Sequence, residues 1–174
     1  MEKNRKLYIF STAKQVAKFQ KQNSDGFLEK TFTIGEFLSR ILYIKDKVKI
    51  DGEIRKIYLR EALENINLSK IGFEGNFVSF LSFSDFIFHF FDELFESKVN
   101  IQDISRHDVY AEFDEHIEIL GRCFAQYDEL LKTRGFFDRC TIKEYEINTE
   151  LLSQYSEIHI KIYGFLSKFE LEIL

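Results

Sequence analysis

Strand-forming runs stand near the two ends of this chain, and the long stretch between them carries helical periodicity alone. Near the amino end Lys6-Leu7-Tyr8-Ile9-Phe10 is short, apolar and rich in strand formers, and Ser11-Thr12 turns it directly into a helical pattern at Val16 and Phe19. Asp25-Gly26 then marks a turn, and Lys30-Thr31-Phe32-Thr33 reads as a second strand. Thr33-Ile34-Gly35-Glu36 has the spacing of a capping box, ahead of a helix expected to bury Phe37, Leu38, Ile41 and Leu42. Strand, helix, strand, helix in that order predicts an α/β core built on a parallel sheet.

Over residues 51–135 no period-two pattern interrupts the helical one. The clearest predicted helix covers 105–134, with Tyr110, Phe113, Ile117, Leu120, Phe124, Tyr127 and Leu131 spaced three and four apart, and Gly135 ends it as a left-handed cap would. Between Phe73 and Phe95 aromatic residues cover more than one helical face. Exposed rings could stack bases, but stacking needs basic neighbours and this stretch is acidic, so core packing is the expected role. Further on, Ser156-Glu157-Ile158-His159-Ile160-Lys161-Ile162-Tyr163 alternates apolar and polar up to Gly164, as a strand returning to the sheet does. Another helix begins near Ser167 and stops at Leu174 without a capping signal, so the chain is expected to be part of something longer.

Charge divides the chain. Residues 1–60 carry a net +7 and residues 61–174 a net −12, which together give the overall −5. The acidic total argues against a protein that coats nucleic acid uniformly, while the basic first third could face phosphates. Lys3, Arg5, Lys6, Lys14 and Lys18 are the candidate phosphate contacts. No apolar run reaches the roughly 18 residues of a membrane span, and the start lacks a signal-peptide core, so a cytoplasmic protein without membrane contact is expected. Cys123 and Cys140 form no metal-ligand or disulfide pattern.

The strand–turn–helix at the amino end is where a phosphate-binding loop would sit. Its residues here are Ser11, Thr12, Ala13, Lys14 and Gln15, and no glycine precedes Gly26, so the backbone cradle for phosphates is missing. A nucleotide hydrolase also needs carboxylates at the end of a later strand to hold magnesium. The returning strand ends instead in Tyr163 and Gly164. Asp108, Glu112 and His116 fall four apart with Glu115 adjacent, yet nothing supplies a second set of ligands, and a solvated acidic stripe is the expected reading. No catalytic residue, metal or cofactor is assigned.

Leu7-Tyr8-Ile9-Phe10-Ser11, Thr33-Ile34-Gly35-Glu36-Phe37-Leu38 and Ile162-Tyr163-Gly164-Phe165-Leu166-Ser167-Lys168-Phe169-Glu170 together resemble the amino-terminal region of AddB proteins, particularly those of ε-proteobacteria. The stretches from Asp108 to His116 and from Tyr127 to Asp138 are similar to that family in order and spacing. The resemblance implies a P-loop-NTPase-like fold, that of the first domain of UvrD-type helicases, with a parallel-sheet core at 1–50 and 136–174 and a large all-helical insertion at 51–135. It implies a non-catalytic, helicase-like module of a complex that processes broken DNA ends for recombinational repair. An AddA-like helicase–nuclease subunit would be the partner and motor, DNA would be reached through the complex, and the family's nuclease domain would lie beyond these residues in an ATP-dependent exonuclease subunit. The phosphate-loop positions depart from the members that keep that loop. Two other readings stand beside this one: a scaffold that docks the motor without touching DNA, and an active nucleotide hydrolase, for which the loop is lacking.

Overall fold

A computed structural model describes residues 5–23, 29–73, 75–104 and 111–174, without the side chains of 111–113. In chain order the first elements are β1 (Lys6–Phe10), α1 (Ala13–Gln22), β2 (Lys30–Thr33), α2 (Ile34–Ile41), β3 (Leu42–Tyr43), β4 (Val48–Lys49) and α3 (Gly52–Ala62). There follow α4 (Phe77–Ser97), α5 (Ile101–Ile104), α6 (Ala111–Thr133), β5 (Phe136–Phe137), β6 (Glu146–Ile147), α7 (Thr149–Leu152), β7 (Glu157–Lys161) and α8 (Lys168–Ile173). The fold is α/β, with a small three-stranded parallel sheet in the order β2-β1-β7 and many helices. Two compact units divide the chain: residues 1–45 with 144–165, and residues 46–143 with 166–174. The expected boundaries at 50 and 136 fall inside the second unit, because Val48 and Lys49 pair there with Phe136 and Phe137. The last helix, expected with the sheet, clusters with that unit too.

In the first unit β1 is the central strand, and its alternation sets up two layers. Tyr8 and Phe10 face α1, where Phe19 lies 4.6 and 5.2 Å from their ring centres. Leu7 and Ile9 point the other way and are fully buried, on the side where α2 contributes Phe37, Leu38 and Ile41. The capping box starts α2 as the sequence predicts: Glu36 N–H donates to Thr33 Oγ1 at 3.2 Å, and Thr33 N–H donates to Glu36 Oε2 at 2.8 Å. Those bonds from Thr33 hold the Glu36 carboxyl below the ordinary range. Leu42 is buried as expected but outside the helix; it adopts an extended conformation and opens β3, which pairs antiparallel with β6.

The second unit is helical, around a core that combines Leu59 of α3, Phe80, Ile87, Phe88 and Phe91 of α4, and Leu120, Cys123, Tyr127 and Leu131 of α6. The aromatic run on α4 is only partly inside, however. Phe77 and Phe86 are exposed; Phe77 stands in the helix's first turn with the Arg60 guanidinium 4.5 Å from its ring centre. Gly135 ends α6 with φ +72°, a conformation that side chains rarely adopt. The predicted start of that helix, with Tyr110, lies outside the described residues, as does the Asp25-Gly26 turn. Both cysteines are free and buried, and burial pushes the Cys123 thiol up to about 11 and that of Cys140 well above its ordinary value. Among the described residues no helix is long and apolar enough to cross a membrane.

Candidate nucleic-acid interface

Because β1 sends its crossover through α1 to β2 on one side and has β7 on its other side, the strand order reverses at β1. In open parallel sheets, ligands bind at such a switch point, outside the carboxyl ends of the strands. Two loops meet here: Ser11-Thr12 after β1, and Ile162 to Phe165 after β7.

A single hydroxyl clips them together. Ser11 Oγ donates to the Tyr163 carbonyl at 3.1 Å and accepts from the Tyr163 amide at 2.9 Å. Thr12 caps α1, accepting from Gln15 N–H at 3.4 Å while its own amide donates to Gln15 Oε1 at 3.1 Å. Ser11 is therefore engaged with the loop after β7 and Thr12 and Gln15 with closing their own turn, which leaves Lys14, and Ala13 adds no polar group. Gly164 has φ +114°, which lets the chain leave β7 and places Tyr163 and Phe165 in solvent, 72% and fully exposed. Removing the clip with Ser11→Ala is expected to cost about 1 kcal/mol, the net worth of a partly exposed bonded pair. The checks are a lower urea midpoint and faster deuterium exchange at the Tyr163 amide.

The candidate phosphate contacts scatter. Lys3 lies outside the described residues. Arg5 is exposed just before β1, while Lys6 is drawn into a 2.9 Å ion pair with Glu157, whose hydrogen bond raises the lysine pKa. Lys14 and Lys18 are exposed one turn apart on α1, and Lys21 continues their row. None of these three enters an ion pair among the described residues. Lys21 was legible from its i, i+7 spacing to Lys14; Tyr163 and Phe165 were not, since nothing in the local pattern says that a ring after a strand stays in solvent. Since α1 links parallel strands, it runs back along β1, and Lys14 lies at the same end as the Ser11–Tyr163 clip.

Of the imagined metal ligands, Asp108 lies outside the described residues and Glu115 pairs with Lys70. No group of three or more His, Cys, Asp or Glu comes together to hold a metal among the described residues. No protein-family model, curated protein or solved structure matches this chain.

Proposed function

We propose that this chain is a non-catalytic, helicase-like module of an AddB-type subunit, which helps a helicase–nuclease complex in the cytoplasm hold broken DNA ends while an AddA-like partner supplies the motor. In this reading the three-stranded sheet is part of a P-loop-like core of the UvrD helicase type, and the helical unit that interrupts it in sequence is the insertion. The observation that carries it is the row Lys14, Lys18 and Lys21, free of ion pairs among the described residues and leading to the switch point where Tyr163 offers an exposed ring. Unpaired lysines take phosphates, and an exposed ring at the Lys14 end of the row stacks an unpaired base.

Titrating the protein against fluorescent forked DNA at several salt concentrations tests this directly. Each phosphate neutralised on a duplex contributes about 0.9 to the slope of log affinity against log salt, so changing all three lysines to glutamate is expected to remove about 2.7 from that slope. Tyr163→Ala is expected to weaken binding to the single-stranded arm more than to a blunt duplex. Binding that ignores salt, or a mutant with an unchanged slope, defeats the reading. The scaffold alternative gains support from Ile54 and Ile57, exposed three residues apart on α3. Absence of DNA binding at low salt, with Ile57→Glu abolishing capture of the motor subunit, would favour it.

A further inference from the structure

Parallel strands are ordinarily covered on both faces and flanked by further strands. In β7 every residue but His159 is exposed, and among the described residues nothing pairs with its outer edge. The Ser156 amide donates to the Arg5 carbonyl at 2.9 Å. Because the Arg5 carbonyl is turned to β7 and Leu7 pairs with Ile158, the backbone groups of Glu157, His159 and Lys161 turn toward β1, which leaves the amides and carbonyls of Ile158 and Ile160 aimed outward.

Those two residues carry the backbone groups that an antiparallel partner would meet. Glu-Ile-His-Ile-Lys has a charge pattern complementary to its own reverse: turned about a twofold axis through His159, Glu157 meets Lys161, Ile158 meets Ile160, and His159 meets itself. Natural edges are often guarded by charges that repel a second copy, and here the charges attract one. Glu157 is also available: Lys6 and His159 both bind its Oε2, at 2.9 and 2.7 Å, and Oε1 takes no partner among the described residues. On the opposite face Ile158 and Ile160, 39% and 46% exposed, would be brought against their counterparts.

We propose that β7 pairs antiparallel with β7 of a second copy of this chain, joining two three-stranded sheets into one across a twofold axis at His159. The outward backbone groups of Ile158 and Ile160 make the hydrogen bonds of that junction, and the Glu157–Lys161 pairs set its register. This inference does not rest on DNA binding. Five residues a side make a small interface, so the dimer forms reversibly and only at high protein concentration.

Analytical ultracentrifugation over a concentration series tests it. The unaltered chain is expected to shift from monomer to dimer as concentration rises. Lys161→Glu alone, and Glu157→Lys alone, each set like charges against each other twice and are expected to stay monomeric. Mixing the two variants restores both attractive pairs, so the mixture is expected to recover the dimer, which also shows that each variant is folded. His159→Cys is expected to crosslink under mild oxidation, because non-hydrogen-bonded antiparallel pairs hold their Cα atoms about 4.5 Å apart, within disulfide reach, and the native cysteines are buried. A chain that remains monomeric at every concentration, or a dimer indifferent to either single charge reversal, overturns the proposal.

Discussion

Replacing Asp138 with alanine is expected to lower the unfolding free energy by about 3 kcal/mol, the lower end of what breaking a buried ion pair costs. Asp138 is 2% exposed, and one of its oxygens, Oδ2, accepts from Tyr127 Oη at 2.6 Å and from Arg55 Nε at 2.8 Å. The same guanidinium reaches Asp92 with both terminal nitrogens at 3.3 Å and lies 3.8 Å from the ring centre of Phe88. Residues of α3, α4, α6 and the turn Arg139–Thr141 are thus held through one arginine and one carboxylate. Removing the carboxylate leaves a phenol and a cation in a dry site, although Arg55 keeps Asp92, which is why the lower figure applies. Asp92→Ala, at the more exposed end, is expected to cost about 1 kcal/mol. Urea unfolding of the two variants side by side checks the ranking, and equal costs would mean that the network does not depend on Asp138.

The same network gives the protein a pH dependence. Burial raises the Tyr127 phenol well above its ordinary value, and Asp138 raises it further. Burial alone would lower the pKa of Arg55, but Asp138 and Asp92 outweigh it. A phenol whose pKa is higher folded than unfolded contributes stability that is complete below the unfolded value of about 10 and is lost as pH rises above it. Alkaline unfolding is therefore expected to shift to higher pH in Tyr127→Phe, in the part of the transition that phenol ionisation drives.

What was legible in the sequence were features that short-range physics sets. The strand at Lys6–Phe10, the box at Thr33 and Glu36 and the cap at Gly135 each depend on residues within a turn of one another, and each forms. Two-residue strands such as Val48–Lys49 are too short to show any period, so the pairing with Phe136 and Phe137 that moves a unit boundary left no trace. The Ser11–Tyr163 clip and the Arg55–Asp138 pair each join residues far apart in the chain, and composition does not name a partner at that range. The period-two pattern of β7 was real yet misleading in one respect. Alternation predicts a buried apolar side, but β7 lies at the edge of the sheet, and its isoleucines stand half in solvent.

That contrast supplies a second large effect. Ile9 and Ile160 are paired residues on neighbouring strands and project from the same face of the sheet, yet Ile9 is fully buried and Ile160 is 46% exposed. Ile9 is flanked by Phe32 of β2 as well as by Ile160, and α2 packs on β1 and β2. Cutting it back to alanine removes buried methylenes and leaves a void that a three-stranded sheet has few neighbours to fill, so Ile9→Ala is expected to cost about 2–5 kcal/mol. Ile160→Ala, measured in dilute solution, is expected to cost only about 1 kcal/mol, since about half of its surface stays in water on folding. Ile9 also lies two residues before Ser11, so its loss is expected to loosen the clip to Tyr163 and to lower affinity for forked DNA well before the protein unfolds. Urea titration monitored by circular dichroism gives the first number and anisotropy the second. If Ile9→Ala unfolds the sheet yet leaves DNA binding untouched, the lysine row of α1 acts without the switch point behind it; if both fall together, the sheet is what holds the interface in shape.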